Sequence, residues 1–390
     1  MLDAAWLLLL LPAAAATGWY VGRRDRKNES AINLPSAYFQ GLNFLLNEQP
    51  DKAIEVFLKM LEVDSETVEM HLALGNLFRR RGEIERATRI HQNLIARPNL
   101  EEHQRLQALF QLAQDYLRAG LLDRAESLLL ELSEVDSHAE AALRWLKDIY
   151  EQESEWEKAV EVLQRLERIQ KVDKSATIAQ YYCELAEEKV AVGDLREGKI
   201  YVKRALDADG ECARARIQQG LIHYQLERYH DARKTWSRIR DNDVWCLTPI
   251  LDKIVHCYQA LADLEGLDCL LNRVLERTTD PNVLIARVNE LERVQGREAA
   301  ASFLDGWLVR HPSVAGLARL MELERSGAGD NNSRARPVRT LLNNLMDTEG
   351  SYRCRQCGFT GRTLYWHCPG CKSWNSQQPL SGPELLTSPN

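Results

Sequence analysis

Strand signals are scarce through most of this 390-residue chain, and nothing in it resembles a catalytic constellation. It has no HExxH, no GxSxG and no glycine-rich phosphate loop, and its nine histidines are scattered. The enzyme classes that those motifs mark are therefore not expected. Positive charge is not in excess either. Fifty Lys and Arg against 57 Asp and Glu leave a net charge of −7, with a pI of about 5.8. No basic field exists to gather nucleic acid, and none is expected as a partner.

Charge is nearly absent from the first 22 residues, where Asp3 stands alone and no Lys or Arg occurs. Leu2 to Val21 is about 20 mostly apolar residues, enough to cross a hydrocarbon core as a helix. Pro12 is tolerated in such a span, and Trp6, Trp19 and Tyr20 suit its two interfaces. Arg23, Arg24, Arg26 and Lys27 follow directly. A cleaved signal peptide would carry its positive charges ahead of the apolar run. A buried core helix would show a polar face. The expectation is a single-pass anchor over residues 1–22 with its N-terminus outside, a juxtamembrane linker over 23–34, and the bulk of the chain in the cytoplasm.

Helix formers replace strand signals from Pro35 to Leu323, and they repeat. "YFQGLNFLLNEQPDKAIEVF", "HLALGNLFRRRGEIERA" and "LFQLAQDYLRAGLLDRA" place Gly41, Gly75 and Ala113 in equivalent positions, and Lys147, Ala186 and Gly220 continue the series. The spacings of 34, 38, 34, 39 and 34 residues resemble the tetratricopeptide repeat. A generic helical bundle needs no such period. Small residues such as Gly41, Gly75 and Ala113 let the first helix of a pair approach the second, and Gly82, Gly120 and Gly193 suit left-handed turns. The fold class expected is all-α: a tetratricopeptide superhelical solenoid over residues 35–325, about eight to nine repeats, whose concave face binds other proteins. By register, Tyr38, Leu42, Asn76, Arg79, Gln114 and Leu117 face inward and are candidates for partner contact. The plainer alternative is packing between repeats or solvation.

Large apolar residues vanish in "SGAGDNNSRARP", a linker over 326–337. Val338, Leu341, Leu342 and Leu345 then fall at helical spacing, a short helix over 338–347 suited to cap the last repeat. Of nine cysteines, Cys183, Cys212, Cys246, Cys257 and Cys269 are scattered like free buried thiols. The other four form two CxxC pairs, Cys354 with Cys357 and Cys368 with Cys371, ten residues apart. In a reducing cytosol they read as one tetrahedral four-cysteine site for iron or zinc and not as disulfides. Redox CxxC chemistry would want a βαβ context that is missing. His367 is a bystander to a complete shell. "CGF" and "CPGC" resemble rubredoxin knuckles, although Lys372 stands where rubredoxin usually has glycine, and the metal stays open between iron and zinc. This rubredoxin-like module over 352–376 is expected to clamp the far end of the array, with its aromatic residues packed on the knuckles, the array or a partner. A disordered tail over 377–390 follows.

The order of these parts, with "MLDAAWLLLLLPAAAATGWYVGRR", "LPSAYFQGLNFLLNEQPDKAIEVF" and "YRCRQCGF…WHCPGC", is similar to the lipopolysaccharide assembly protein B family of Gram-negative bacteria. The resemblance implies a location at the inner membrane with a periplasmic N-terminus. It implies an adaptor that promotes proteolysis of the LpxC deacetylase by the FtsH protease, restrained by a PbgA/YejM-type inner-membrane regulator. It also implies metal ligation by Cys354, Cys357, Cys368 and Cys371. Two other functions remain open: a scaffold gathering lipopolysaccharide synthesis and transport proteins, and a metal- or redox-responsive sensor.

Overall fold

The computed structural model describes residues 36–47, 49, 52–56, 68–278, 280–324 and 352–379. The expected anchor, the juxtamembrane linker, the linker at 326–337 and the capping helix all lie outside the described residues. No helix among those described is long and apolar enough to cross a membrane.

Helix α1 is Ser36–Leu46. Seven antiparallel pairs follow among the described residues. They are α2 (Val68–Arg81) with α3 (Ile84–Ile95), α4 (Glu102–Arg118) with α5 (Leu122–Ser133), and α6 (Asp136–Glu153) with α7 (Trp156–Gln170). Next come α8 (Ser175–Ala191) with α9 (Leu195–Ala208) and α10 (Ala213–Gln225) with α11 (Tyr229–Trp236). The last are α12 (Leu251–Ala260) with α13 (Leu264–Leu275), and α14 (Pro281–Gln295) with α15 (Arg297–Arg310), before α16 (Val314–Glu324). The chain divides into two compact units, Met1–Trp145 and Leu146–Asn390.

The pairs turn through a left-handed residue, in the first five of them seven positions after the equivalent position of the repeat. Gly82 (φ +86), Gly120 (φ +73) and Gly193 (φ +85) fill that place, but so do Ser154 (φ +59), Glu227 (φ +58) and Ala262 (φ +54). The repeat geometry imposes the conformation, and glycine only lowers its cost. Gly75 answers a different demand, since a Cβ there would lie 2.3 Å from Nε2 of His91 on the facing helix. Gly220 does the same under Trp236, where a Cβ would meet Nε1 at 2.1 Å.

In the first unit, Met70, Leu74, Leu77, Phe78 and Ala87 form an apolar cluster with Ala53 and Ile54. A polar chain crosses it. Fully buried Asp115 pairs with His91 Nδ1 and, at 2.8 Å, with Arg79 Nη1. Arg79 Nη2 also donates to Asn76 Oδ1 and Gln111 Oε1, both at 2.6 Å. Two candidate partner positions, Asn76 and Arg79, are thus bound into this network, while Gln114 and Leu117 are half-buried. Tyr38 and Leu42 belong to α1, and their side chains lie outside the described residues.

In the second unit a 3-10 helix, Val244–Ile250 with Pro249 inside it, leads into α12. Of the scattered cysteines, Cys183, Cys212, Cys246 and Cys257 are buried as expected, but Cys269 is exposed. It falls on the outer side of α13, whose inner side carries buried Leu267, Leu270 and Leu271. The C-terminal module is a small antiparallel sheet in the order β2-β1-β3, made of β1 (Tyr352–Cys354), β2 (Thr360–Gly361) and β3 (Gln377–Pro379). Gln377–Pro379, which composition assigns to the tail, pairs with β1, Cys354 standing opposite Gln377. A polar strand this short carries no hydrophobic alternation to announce it.

Candidate metal centre

The two cysteine pairs lie on two turns with the same wiring. Cys354 N–H donates to Phe359 O at 2.8 Å, and Gly358 N–H donates back to Cys354 O at 3.0 Å. Fourteen positions on, Cys368 N–H donates to Ser373 O at 3.0 Å and Lys372 N–H to Cys368 O at 2.9 Å. Gly358 (φ +77) and Lys372 (φ +59) are therefore equivalents, both left-handed. Lys372 adopts the backbone that glycine supplies more cheaply. Gly370 leaves room for a ligand, because a Cβ there would lie 3.2 Å from Cys357 Sγ.

All four sulfurs fall within 4.8 Å of one another. Cys354 Sγ is 3.6 Å from Cys371 Sγ, and Cys357 Sγ is 3.7 Å from Cys368 Sγ. A disulfide would need about 2.0 Å. A tetrahedral ion with metal–sulfur bonds of about 2.3 Å sets sulfurs roughly 3.8 Å apart. The spacing fits one ion, and it suits iron and zinc alike.

Electrostatics agree. Cys354 Sγ lies 3.3 Å from the Ser376 hydroxyl, and the Gln356 N–H donates to it at 3.4 Å. The serine contact leads in drawing the Cys354 pKa down to about 6. The Ser373 hydroxyl, 3.4 Å from Cys371 Sγ, lowers that thiol too. A backbone N–H from Phe359 favours the Cys357 thiolate, but desolvation and the three neighbouring sulfurs hold its proton on, up to about 12. Hydrogen bonds thus prepare thiolates that repel one another unless a cation sits among them. Four thiolates close the shell, which suits a structural ion. His367 is no ligand: its Nε2 lies 2.9 Å from Lys372 O, and its ring stacks on Trp374 at 4.3 Å and 11°.

The module docks on the repeats of its own unit, and earlier in them than expected. Among the described residues its hydrogen bond and ring contacts to the repeats fall between Glu151 and Trp245. Trp374 Nε1–H donates to Glu151 Oε1 at 3.0 Å, and its ring meets Trp156 and Tyr181 edge-on at 5.9 and 5.6 Å. Trp366 packs on the apolar cluster that includes Leu247 and Ile254, with the Arg214 guanidinium 5.9 Å from its ring. Arg214, almost fully buried, is held by Glu184 at 2.9 Å and Glu187 at 2.8 Å. Tyr352 is buried beside Trp245 of the 3-10 helix, 6.4 Å between rings. Phe359 and Tyr365 pair with each other within the module at 6.2 Å.

Sequence reasoning did not single out Glu151, Trp156, Tyr181, Arg214 or Trp245. A signal existed for the first. Glu151 lies four residues after Lys147, as Arg79 follows Gly75 and Leu117 follows Ala113. The register that nominated Arg79 and Leu117 reaches Glu151 one repeat later, and there the occupant is the chain's own module.

Paired helices with a docked four-cysteine knuckle define a tetratricopeptide-repeat protein carrying a rubredoxin-type metal module. Residues 110–173 and 183–243 match the tetratricopeptide repeat family, and residues 352–379 match the rubredoxin metal binding domain. The whole chain has relatives. Lipopolysaccharide assembly protein B of Escherichia coli is 38% identical over 381 residues, covering 96% of this chain and 98% of that protein. The protein of the same name in Haemophilus influenzae is 34% identical over 392 residues, covering 97% and 98%. The chain belongs to the lipopolysaccharide assembly protein B family.

Proposed function

We propose that this chain is a membrane-anchored, non-catalytic adaptor that limits lipopolysaccharide synthesis by promoting FtsH-dependent proteolysis of the LpxC deacetylase. A PbgA/YejM-type inner-membrane regulator restrains it. The observation that carries the reading is the full-length likeness to proteins named for lipopolysaccharide assembly. Physical argument supports it. Helix pairs of this kind present side chains at fixed register to a protein partner. Tethering them by residues 1–22 in the inner membrane, N-terminus periplasmic and repeats cytoplasmic, raises the local concentration of a held substrate beside a membrane protease.

The metal, when bound, supplies a fourfold crosslink and no reaction. Cys354, Cys357, Cys368 and Cys371 hold it, Ser373 and Ser376 orient two of the sulfurs, and Glu151 fixes Trp374 so that the knuckles sit on the repeats.

The test is the half-life of the deacetylase in cells with and without this protein, measured where the protease is active and where it is inactivated. The adaptor reading expects a longer half-life on loss of the protein only where the protease works. A rise in deacetylase level on loss of the protein in protease-inactive cells contradicts it.

A further inference from the structure

We propose that the metal module is a removable cover over one face of the repeats of its unit, and that the bound ion holds the cover in place. The inference concerns the state of that face. It stands whichever partner the repeats take.

The cover cannot hold its own shape. Its strands are three, two and three residues long. Among its described residues only Tyr352, Cys354, Cys368, Ser376 and Gln377 are buried. The one large side chain of these, Tyr352, lies against Trp245 of the repeats. Domains below about 40 residues generally need a metal, a disulfide or a partner to fold. In such modules the energy of metal binding is the energy of folding. Removing the ion removes the sheet, and with it the placement of Trp366 and Trp374.

The repeats, by contrast, hold many contacts that do not involve the module. Glu151 keeps Lys147 at 2.9 Å and the Tyr181 hydroxyl at 2.5 Å. Arg214 keeps both its glutamates. Leu146, Ile149, Leu163 and Val202 on α6, α7 and α9 are buried. Nothing in this list requires Trp374.

Departure of the module would open a specific place. A cavity of about 100 Å³ lies where Trp374 and Asn375 of the module face Gln180, Cys212 and Arg240 of the repeats. Cys212 is 4% exposed in this closed arrangement. Cys183 is fully buried, in one apolar cluster with Cys212, Ala179, Ala205 and Ala215. The first thiol should become reachable when the cover lifts, and the second only when the helices come apart.

The experiment uses the full chain, shown first by elemental analysis to hold one ion. Part is stripped with a strong chelator, and Cys357→Ser supplies a second metal-poor form. Both are exposed to iodoacetamide, and each cysteine is followed by mass spectrometry, with helix content read by circular dichroism. In the metal-loaded protein Cys212 and Cys183 are both protected. In the metal-poor forms Cys212 alkylation rises at least tenfold while Cys183 stays protected and helix content holds. Metal-loaded Trp374→Ala raises the Cys212 rate several-fold. An unchanged Cys212 rate after metal loss overturns the proposal. So does Cys183 reacting together with Cys212, which would make the ion a support of the whole unit. A starting protein without one bound ion overturns it at once.

Discussion

Trp374 and Tyr181 donate to the same oxygen of Glu151, the indole at 3.0 Å and the phenol at 2.5 Å, while Lys147 pairs with the other oxygen at 2.9 Å. One carboxylate thus joins the module to two helices of the repeats. Glu151→Ala leaves two part-buried donors without their acceptor and Lys147 with Asp148 alone, an expected loss of about 2–3 kcal/mol. Trp374→Phe keeps the edge-on ring contacts and loses one charge-assisted bond, about 1.5–2 kcal/mol. Urea denaturation of both variants checks the order. A smaller loss for Glu151→Ala than for Trp374→Phe contradicts the shared-acceptor account.

The same carboxylate sets a pH dependence. Burial pushes the Glu151 pKa up, but hydrogen bonds from Tyr181 and Trp374 and the Lys147 charge outweigh it, leaving the pKa below the usual 4.5. A depressed carboxylate stabilises the fold fully above the unfolded value and loses that contribution as pH falls through the folded one. The stability difference between the native chain and Glu151→Gln is therefore expected to be flat at neutral pH. It should shrink only as pH drops below about 4.5. Calorimetry of the pair across that range measures it, and a difference that grows on acidification refutes the assignment.

Three glycines should respond to alanine in opposite directions. At Gly75 and Gly220 a methyl group meets the rings of His91 and Trp236, an overpacking expected to cost about 2–3 kcal/mol. Gly306, inside α15, has nothing within 4 Å of its Cβ position. There alanine should add about 0.5–1 kcal/mol through helix propensity. Thermal melts of the three variants decide this.

Lys372 sits at φ +59 in the place where its equivalent, Gly358, sits at φ +77. A left-handed conformation costs a side-chain-bearing residue about 1–2 kcal/mol, while glycine adds about 0.5–1 kcal/mol of unfolded-state freedom. Lys372→Gly should therefore gain under about 1 kcal/mol, seen as slower metal loss to a competing chelator. Gly358→Ala should speed that loss.

Natively isolated protein should carry one ion per chain, and elemental analysis names it. Cys354→Ser or Cys368→Ser should abolish stoichiometric binding. Ser376→Ala, which removes the hydroxyl 3.3 Å from Cys354 Sγ, should weaken affinity by about tenfold, the lower range for residues that orient a ligand. A Ser376→Ala protein with unaltered affinity would show that the hydroxyl is idle.

The helix pairs and the ligands were legible in the sequence because each rests on local pattern: a 34-residue period, and two CxxC turns. The docking of one on the other was not. Trp374 reads as one aromatic among several in a short module, and Glu151 as one acid among 57 Asp and Glu. Only folding shows that they share a hydrogen bond. The left-handed Ser154, Glu227 and Ala262 were equally silent, since their backbone follows from the repeat and not from their side chains. β3 was hidden by its polarity, for its partner is a strand edge and not a core.

Glu151 and Trp374 are 223 positions apart, and a ribosome adds about 5–20 residues each second. Between ten and forty-five seconds, roughly, separate the synthesis of the carboxylate from that of the indole. Once Tyr181 has been added, the nascent helices present Trp156 and Tyr181 without Trp374, with Lys147 as a charge partner of Glu151. Every newly made molecule therefore passes through an open form before its last residues leave the exit tunnel, and chaperones or early binders would meet that form first.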